Sequence, residues 1–402
     1  MRSWSLAAVV LMLAVAACDP EPASQLVIPP TDGDAGWDGG ELEAGEEDVA
    51  EQEAEAGDER WDASATGPEP VVVAVEPLPA EADDGGTEQE ALLQAALLSM
   101  STGARGMVMT LRWRDLAGES GAVRRVELGQ LAGLLRSQKR QLLLTIGVVD
   151  GVRDGRPEGL QGASWSSEGT RQALHGLLDE LYPALGVELR YLSLGHEVDR
   201  YAAAHPQERE ALAAFFAEAV TYANAQPNRP QSVEASVTWS HDAWLSEEPL
   251  GGWASAVLEA ASPVFVTYAP RESDGRAVGA DRPHEDLVRV LERTDKRQIV
   301  LAEVMYPSSE LIGGGEAEQA AFLGAVFAEV AAHRARVPFV GIASLHDPDP
   351  SMCLSRAEAS GNAGATEEMF AFFCSIGVRT RTGEAKDAFE AFAAGAAEFM
   401  TP

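Results

Sequence analysis

The chain has 402 residues, 46% of them hydrophobic, and carries 64 Asp and Glu against 30 Lys and Arg, a formal net charge of −34 at pH 7. Such a charge excludes nucleic acid as a partner and excludes an electrostatic grip on anionic lipid. The length leaves room for one large domain or two small ones after any leader is set aside.

Taken in chain order, the N-terminus has the three parts of a secretory signal. Arg2 supplies the positive charge, Leu6 to Val15 the apolar core, and Val15-Ala16-Ala17-Cys18 a small-residue cleavage site. The core is too short to span a bilayer as a helix. The cleavage site ends in cysteine and resembles the lipobox of bacterial lipoproteins. That resemblance implies removal of residues 1–17, lipidation of Cys18, and an anchored, extracytoplasmic protein of the bacterial cell envelope. Residues 18–70 are expected to form a disordered acidic tether. Positions 19–70 hold seventeen Asp and Glu against the single base Arg60, with abundant Gly, Pro and Ala. A segment of that composition buries too little apolar surface to offset chain entropy, and like charges extend it. Contact with the membrane is expected through the lipid alone, and the folded part is expected to be a monomer.

From residue 71 to 402, short β-rich runs alternate with longer amphipathic ones. The predicted strands are 71–77, 106–113, 141–148, 190–197, 232–239, 263–270, 298–304 and 339–347. Each precedes a helical pattern. The first helix has Thr87 and Glu90 in capping-box spacing, and the fourth has Pro206 in its first turn. Strands alternating with helices imply parallel pairing, and near-continuous apolar strands imply a sheet covered on both faces. Eight such units predict an α/β fold, a (β/α)8 TIM barrel. The competing architecture is an open doubly wound sheet, which the glycine-poor turn after the first strand disfavours. Cys353 and Cys374, an even pair outside the cytoplasm, are expected to form a disulfide.

In such a barrel, function sits where strands end. The strand exits carry Arg112 and Trp113, His196 and Glu197, Trp239 and His241, Tyr268, Glu303, and His346 and Asp347. Their interiors are apolar; their exits are acidic, aromatic and histidine-bearing. Glu197 and Glu303 follow strands four and seven directly. Two carboxylates across a barrel mouth are what glycoside cleavage needs, one to protonate the leaving oxygen and one to attack or to activate water. Flat aromatic faces suit sugar rings.

The segments YLSLGHEVD and LAEVMYPSS resemble the strand-four and strand-seven segments of the retaining glycoside hydrolases with barrel folds, clan A. The resemblance implies Glu197 as acid/base and Glu303 as nucleophile. It implies Tyr268 as a hydrogen-bond donor to the nucleophile, and Arg112 as its brace. His196 stands where that superfamily has Asn, and strand eight ends in Ser344-Leu345-His346-Asp347 where a tryptophan floor is common. The expected partner is therefore an oligo- or polysaccharide, bound by His196, Tyr268, Trp113, Arg112, Trp239, His241, His346 and Asp347. The alternative is a non-catalytic carbohydrate-binding or structural lipoprotein on the same scaffold. No cofactor is expected and no metal. A zinc-protease HExxH would need histidine at position 200, which is Arg200, and no GxSxG elbow occurs. A metal set of His196, Glu197, Asp199 and His346 is the residual metal reading.

Overall fold

The computed structural model describes residues 70–81, 88–230, 232–246, 250–272, 274–361 and 366–400. The leader, Cys18, the tether and Thr87 lie outside them. Eight parallel strands occur in the expected order: β1 (Val72–Val75), β2 (Gly106–Arg112), β3 (Gln141–Gly147), β4 (Leu189–Ser193), β5, β6 (Val264–Tyr268), β7 (Ile299–Val304) and β8 (Phe339–Ile342). Strand β5 comes in two pieces, β5a (Glu234–Ser236) and β5b (Thr238–Ser240). The hydrogen-bonded order is β5a-β4-β3-β2-β1-β8-β7-β6-β5b. One run of chain thus pairs with β4 on one side and β6 on the other. The ring is closed, as the barrel reading requires and the open sheet does not.

The outer helices are α1 (Glu88–Ser101), α2 (Gly118–Ser137), α3 (Glu168–Leu185), α4 (Arg209–Ala225), α5 (Ser255–Ala260), α6 (Pro283–Arg293), α7 (Glu316–Ala332) and α8 (Asp387–Glu398). Their starts follow local chemistry. Ser167 accepts a bond from the Thr170 N–H at the head of α3, and Pro283 opens α6 at a position where its missing N–H has no helical partner. Pro206 opens a short turn, Pro206–Glu208, that leads into α4.

Strand parity decides what each residue does. Successive side chains point to opposite faces, so alternate positions fill the barrel and the others meet the helices. Tyr191, Phe265 and Phe339 meet edge to face inside the barrel, 5.6 and 5.3 Å between ring centroids. They share one cluster with Val72, Val108 and Val300. Carrying that inward parity toward the strand ends reaches Glu76, Thr110, Arg112, Thr267, Ala269 and Arg271. Strand β7 breaks the alternation. Between Leu301 and Glu303 it advances two residues while β6 advances one, from Val266 to Thr267. This β-bulge re-aims Glu303 to the face shared with Thr267. Gly341 on β8 makes room for it: a Cβ there would lie 2.3 Å from the Ala302 carbonyl oxygen.

Three elements of the mouth were not expected from the sequence. A hairpin pairs Val149–Asp150 with Arg153–Asp154. A short helix, Val198–Ala204, follows β4 directly. After β8, the helix Pro350–Ala359 precedes a second one, Glu367–Phe373; Asp349 caps the first by accepting from the N–H groups of Ser351 and Met352. The disulfide joins these last two helices, Cys353 to Cys374, with Cα atoms 5.2 Å apart.

Candidate active site

A cavity of about 170 Å³ opens at the C-terminal end of the strands. Its walls come from the ends of β1, β2, β4, β6 and β7, from the Val149–Asp154 hairpin, and from the excursion after β8. Glu197, Glu303, His196 and Arg112 all line it. Glu303 is buried, 3% exposed. Its Oε1 accepts from the Thr110 hydroxyl at 2.7 Å, and its Oε2 lies 3.4 Å from Nε2 of His196. The other ring nitrogen of His196, Nδ1, is 3.1 Å from Oδ1 of Asp150. The hairpin delivers that aspartate: the His196 N–H donates to the Val149 carbonyl, and the Gly151 N–H to the His196 carbonyl.

A carboxylate on each side favours donation from both ring nitrogens, the imidazolium form of His196, and the Thr267 hydroxyl also lies 3.4 Å from Nε2. Burial by itself would lower the His196 pKa. The charge of Glu303 and the hydrogen bonds to Asp150 and Glu303 overcome it and hold it well above the usual value. Burial would likewise raise Glu303, but the His196 charge and hydrogen bond, with help from Arg356 and Thr110, hold it well below the carboxylate range. Asp150 is lowered to about 2, its burial outweighed by His196 and Arg153.

Glu197 occupies the sharp exit from β4. It is the N-cap of the Val198–Ala204 helix with φ 49° and ψ 55°, in the left-handed region. A non-glycine residue there is held by its surroundings at a cost of order 1–3 kcal/mol. The turn also breaks strand parity, so consecutive residues His196 and Glu197 both reach the cavity. Oε2 of Glu197 lies 2.9 Å from Nε of Arg200.

Other sequence-selected residues stand elsewhere. Trp113, Trp239 and Tyr268 have outward parity and are buried between sheet and helices, at most 2% exposed. They offer no open ring face to a sugar. Trp239 packs on Trp253, 5.8 Å between centroids. Tyr268 stacks on Phe322, and its hydroxyl donates to Asp286 at 3.2 Å, so the bond expected from Tyr268 to Glu303 is supplied by Thr110 instead. His241 is buried edge-on to the Tyr268 ring. His346 donates from Nδ1 to the Leu78 carbonyl at 2.8 Å. Asp347 accepts from Nζ of Lys386 at 2.7 Å and from the Gly377 N–H; both residues tie down the chain after β8. Among the described residues, no group of three or more His, Cys, Asp and Glu is placed to hold a metal. The quartet of His196, Glu197, Asp199 and His346 does not converge.

Missed in the sequence were Glu76, Thr110, Asp150, Arg271 and Arg356. Inward parity marks Glu76, Thr110 and Arg271; no local signal marks Asp150 or Arg356, which arrive on the hairpin and the excursion. Nη2 of Arg356 meets Oε2 of Glu76 at 2.6 Å. Burial pushes Glu76 up to about 7, with the Arg356 charge only partly offsetting it.

Arg356 and Phe373, both cavity-lining, ride on the two disulfide-linked helices. The bridge spans 21 residues, and a loop of that length is worth about 3 kcal/mol in the chain-entropy model. Replacing both cysteines by serine should lower unfolding stability by about that amount and weaken ligand binding at the cavity with it. Thermal unfolding and calorimetric titration of the double variant check this; equal stability would contradict it.

The chain is thus a closed parallel (β/α)8 barrel that carries two glutamates at the ends of β4 and β7. No family model matches the chain, and no curated protein matches its sequence. Solved structures do. A GH5_18 protein from Bifidobacterium longum has TM-score 0.61 at 12% identity over 83% of this chain and 80% of that one. A GH5_18 protein from Streptomyces cattleya, in complex with GlcNAc, has TM-score 0.60 at 15% identity over 83% and 82%. The exo-β-1,4-mannosidase Op5Man5 from Opitutaceae bacterium strain TAV5 has TM-score 0.62 at 15% identity over 82% and 60%. At these identities the likeness is one of fold.

Proposed function

We propose that the chain is a retaining glycoside hydrolase, with Glu303 as nucleophile and Glu197 as acid/base, acting on an oligo- or polysaccharide outside the cytoplasm. The observation that carries this reading is the state of Glu303. It is a buried carboxylate, aimed into a cavity by a bulge and kept ionised by His196 and Thr110. In the first step Glu303 attacks the anomeric carbon while Glu197 gives its proton to the leaving oxygen. In the second, Glu197 takes a proton from water, whose oxygen attacks the anomeric carbon and releases Glu303. Sugar-bound proteins of the same fold support a saccharide as the ligand.

A second reading, a non-catalytic carbohydrate-binding protein, is favoured by one observation. The imidazolium of His196 lies against Glu303 and neutralises the group that must attack. A panel of aryl glycosides separates the two. Release of the aglycone, with NMR showing retained anomeric configuration in the first product, is expected. No release from any member, alongside binding of an oligosaccharide, selects the second reading.

The same proposal places residues 1–17 as the removed signal, 18–70 as the tether and 71–402 as a monomeric barrel domain. Its support is the Val-Ala-Ala-Cys ending of the apolar core. Cys18→Ser should move the protein from the membrane to the soluble fraction, since an anchor gains about 0.8 kcal/mol per buried methylene and the variant has none. Fractionation and labelling with radioactive palmitate check it; unchanged membrane association would refute it.

A further inference from the structure

Each of the cavity's carboxylates is paired with a cation. Glu303 and Asp150 have His196, Asp150 has Arg153 as well, Glu76 has Arg356, Glu197 has Arg200, and Asp115 has Arg112. Arg271 is left over. It lines the same cavity and, among the described residues, forms no ion pair. Among the described residues, its one side-chain hydrogen bond runs from Nη1 to the Ala269 carbonyl at 3.2 Å. That bond, and the Phe372 ring 5.8 Å from Cζ, hold the guanidinium in place. Burial, with the charge of Arg200, lowers its pKa from the ordinary value, and Glu197 and Asp242 only partly offset this. It shares the cavity wall with Glu197, the proposed proton donor. When Glu197 holds the proton that the first step needs, it no longer offsets Arg200, and Arg271 stands in the cavity wall with no ion-pair partner among the described residues. An occupant with a negative charge restores the balance.

We propose that Arg271 receives an anionic substituent of the saccharide, a carboxylate of a uronic acid, in the cavity that holds Glu197 and Glu303. The inference rests on the hydrolase reading for the saccharide and on Arg271 itself for the charge. A planar guanidinium fork matches a carboxylate with two parallel hydrogen bonds. A neutral sugar hydroxyl takes one and leaves the cation uncompensated in a partly dry site. The acidity of the chain as a whole makes this local: with a formal charge of −34, long-range attraction of an anion is excluded, and a placed cation must do the recognition.

The test uses the full chain carrying Glu303→Gln, which binds without turnover. Titration calorimetry compares matched β-1,4-linked trisaccharides, mannotriose with trimannuronate and cellotriose with its 6-carboxylated counterpart. In at least one pair the acidic member should bind about 10- to 100-fold more tightly, the range of a charge-assisted hydrogen-bonded pair. Adding Arg271→Met should erase that preference. Adding Arg271→Lys, which keeps the charge but not the fork, should retain part of it, and it serves if the methionine variant fails to fold. Tighter binding of the neutral member in every pair, no binding of any acidic member, or a preference untouched by both substitutions would overturn the proposal. The hydrolase reading fails separately. An Arg271-dependent preference with no cleavage of the acidic trisaccharide by the unmodified chain ends that reading and leaves this one standing.

Discussion

Glu303→Ala is expected to lower kcat/KM on every glycoside the protein cleaves by roughly 10⁴-fold or more, the scale on which removing a covalent nucleophile acts. The reason is positional. The bulge at Ala302 gives β7 one carboxylate facing the barrel mouth, and the neighbouring inward positions, Thr110 and Thr267, carry hydroxyls that are weak nucleophiles. The other carboxyls of the cavity, Glu76 and Asp150, are held by Arg356 and by Arg153 with His196. Glu197→Ala makes a different demand. It removes proton donation, worth about 10²–10⁴-fold, and leaves attack intact. Substrates whose leaving group needs no proton should keep their first step, the glycosyl-enzyme should accumulate, and added azide should restore turnover by attacking it without a base. Burst kinetics with a dinitrophenyl glycoside measure this. Unchanged turnover in Glu303→Ala would end the mechanism, and equal losses for good and poor leaving groups in Glu197→Ala would remove Glu197 from the acid/base role.

The fold was readable because it rests on periodicity. Eight apolar runs followed by eight amphipathic runs leave little choice of architecture, and each observed strand lies within or close to its expected run. The site was readable only in part. His196, Glu197 and Glu303 came from short segments with a family resemblance, but strand alternation alone would have turned Glu303 toward the helices. The bulge that corrects it depends on Gly341, a residue on another strand. Trp113, Trp239 and Tyr268 show the opposite error. Aromatic character near a strand end suggests a sugar contact at each, yet parity from the inward residues Val108 and Phe265 sends Trp113 and Tyr268 outward, and both are buried against helices. Counting parity would have replaced them with Thr110, Thr267 and Arg271. Asp150 and Arg356 had no such signal. They sit on a six-residue hairpin and an irregular excursion, and only the closed ring brings them to His196 and Glu76.

His196→Asn is expected to reduce stability by about 3 kcal/mol, the scale of breaking a buried ion pair, with a loss that depends on pH in a defined way. Removing the imidazolium leaves Glu303 and Asp150 charged and buried, with Thr110 and Arg153 as their remaining partners. The signs follow from the shifts. The folded His196 pKa is raised above its ordinary value of 6.5, so its contribution is complete below 6.5 and is lost as pH rises through the folded value. The folded Glu303 pKa is lowered from 4.5, so its contribution is complete above 4.5 and is lost as pH falls through the folded value. The stability difference between the chain and His196→Asn should therefore peak between about pH 4.5 and 6.5 and shrink on both sides. Urea unfolding from pH 2.5 to 9 measures it, and a flat difference over that range would show that His196 is neutral. The same substitution acts on catalysis. Without its cation, Glu303 takes up a proton at higher pH, so the acidic limb of kcat/KM should move upward. An imidazole NMR titration midpoint for His196 above 6.5 should accompany that shift. A limb that stays in place while stability falls would separate His196 from Glu303 and leave it a purely structural residue.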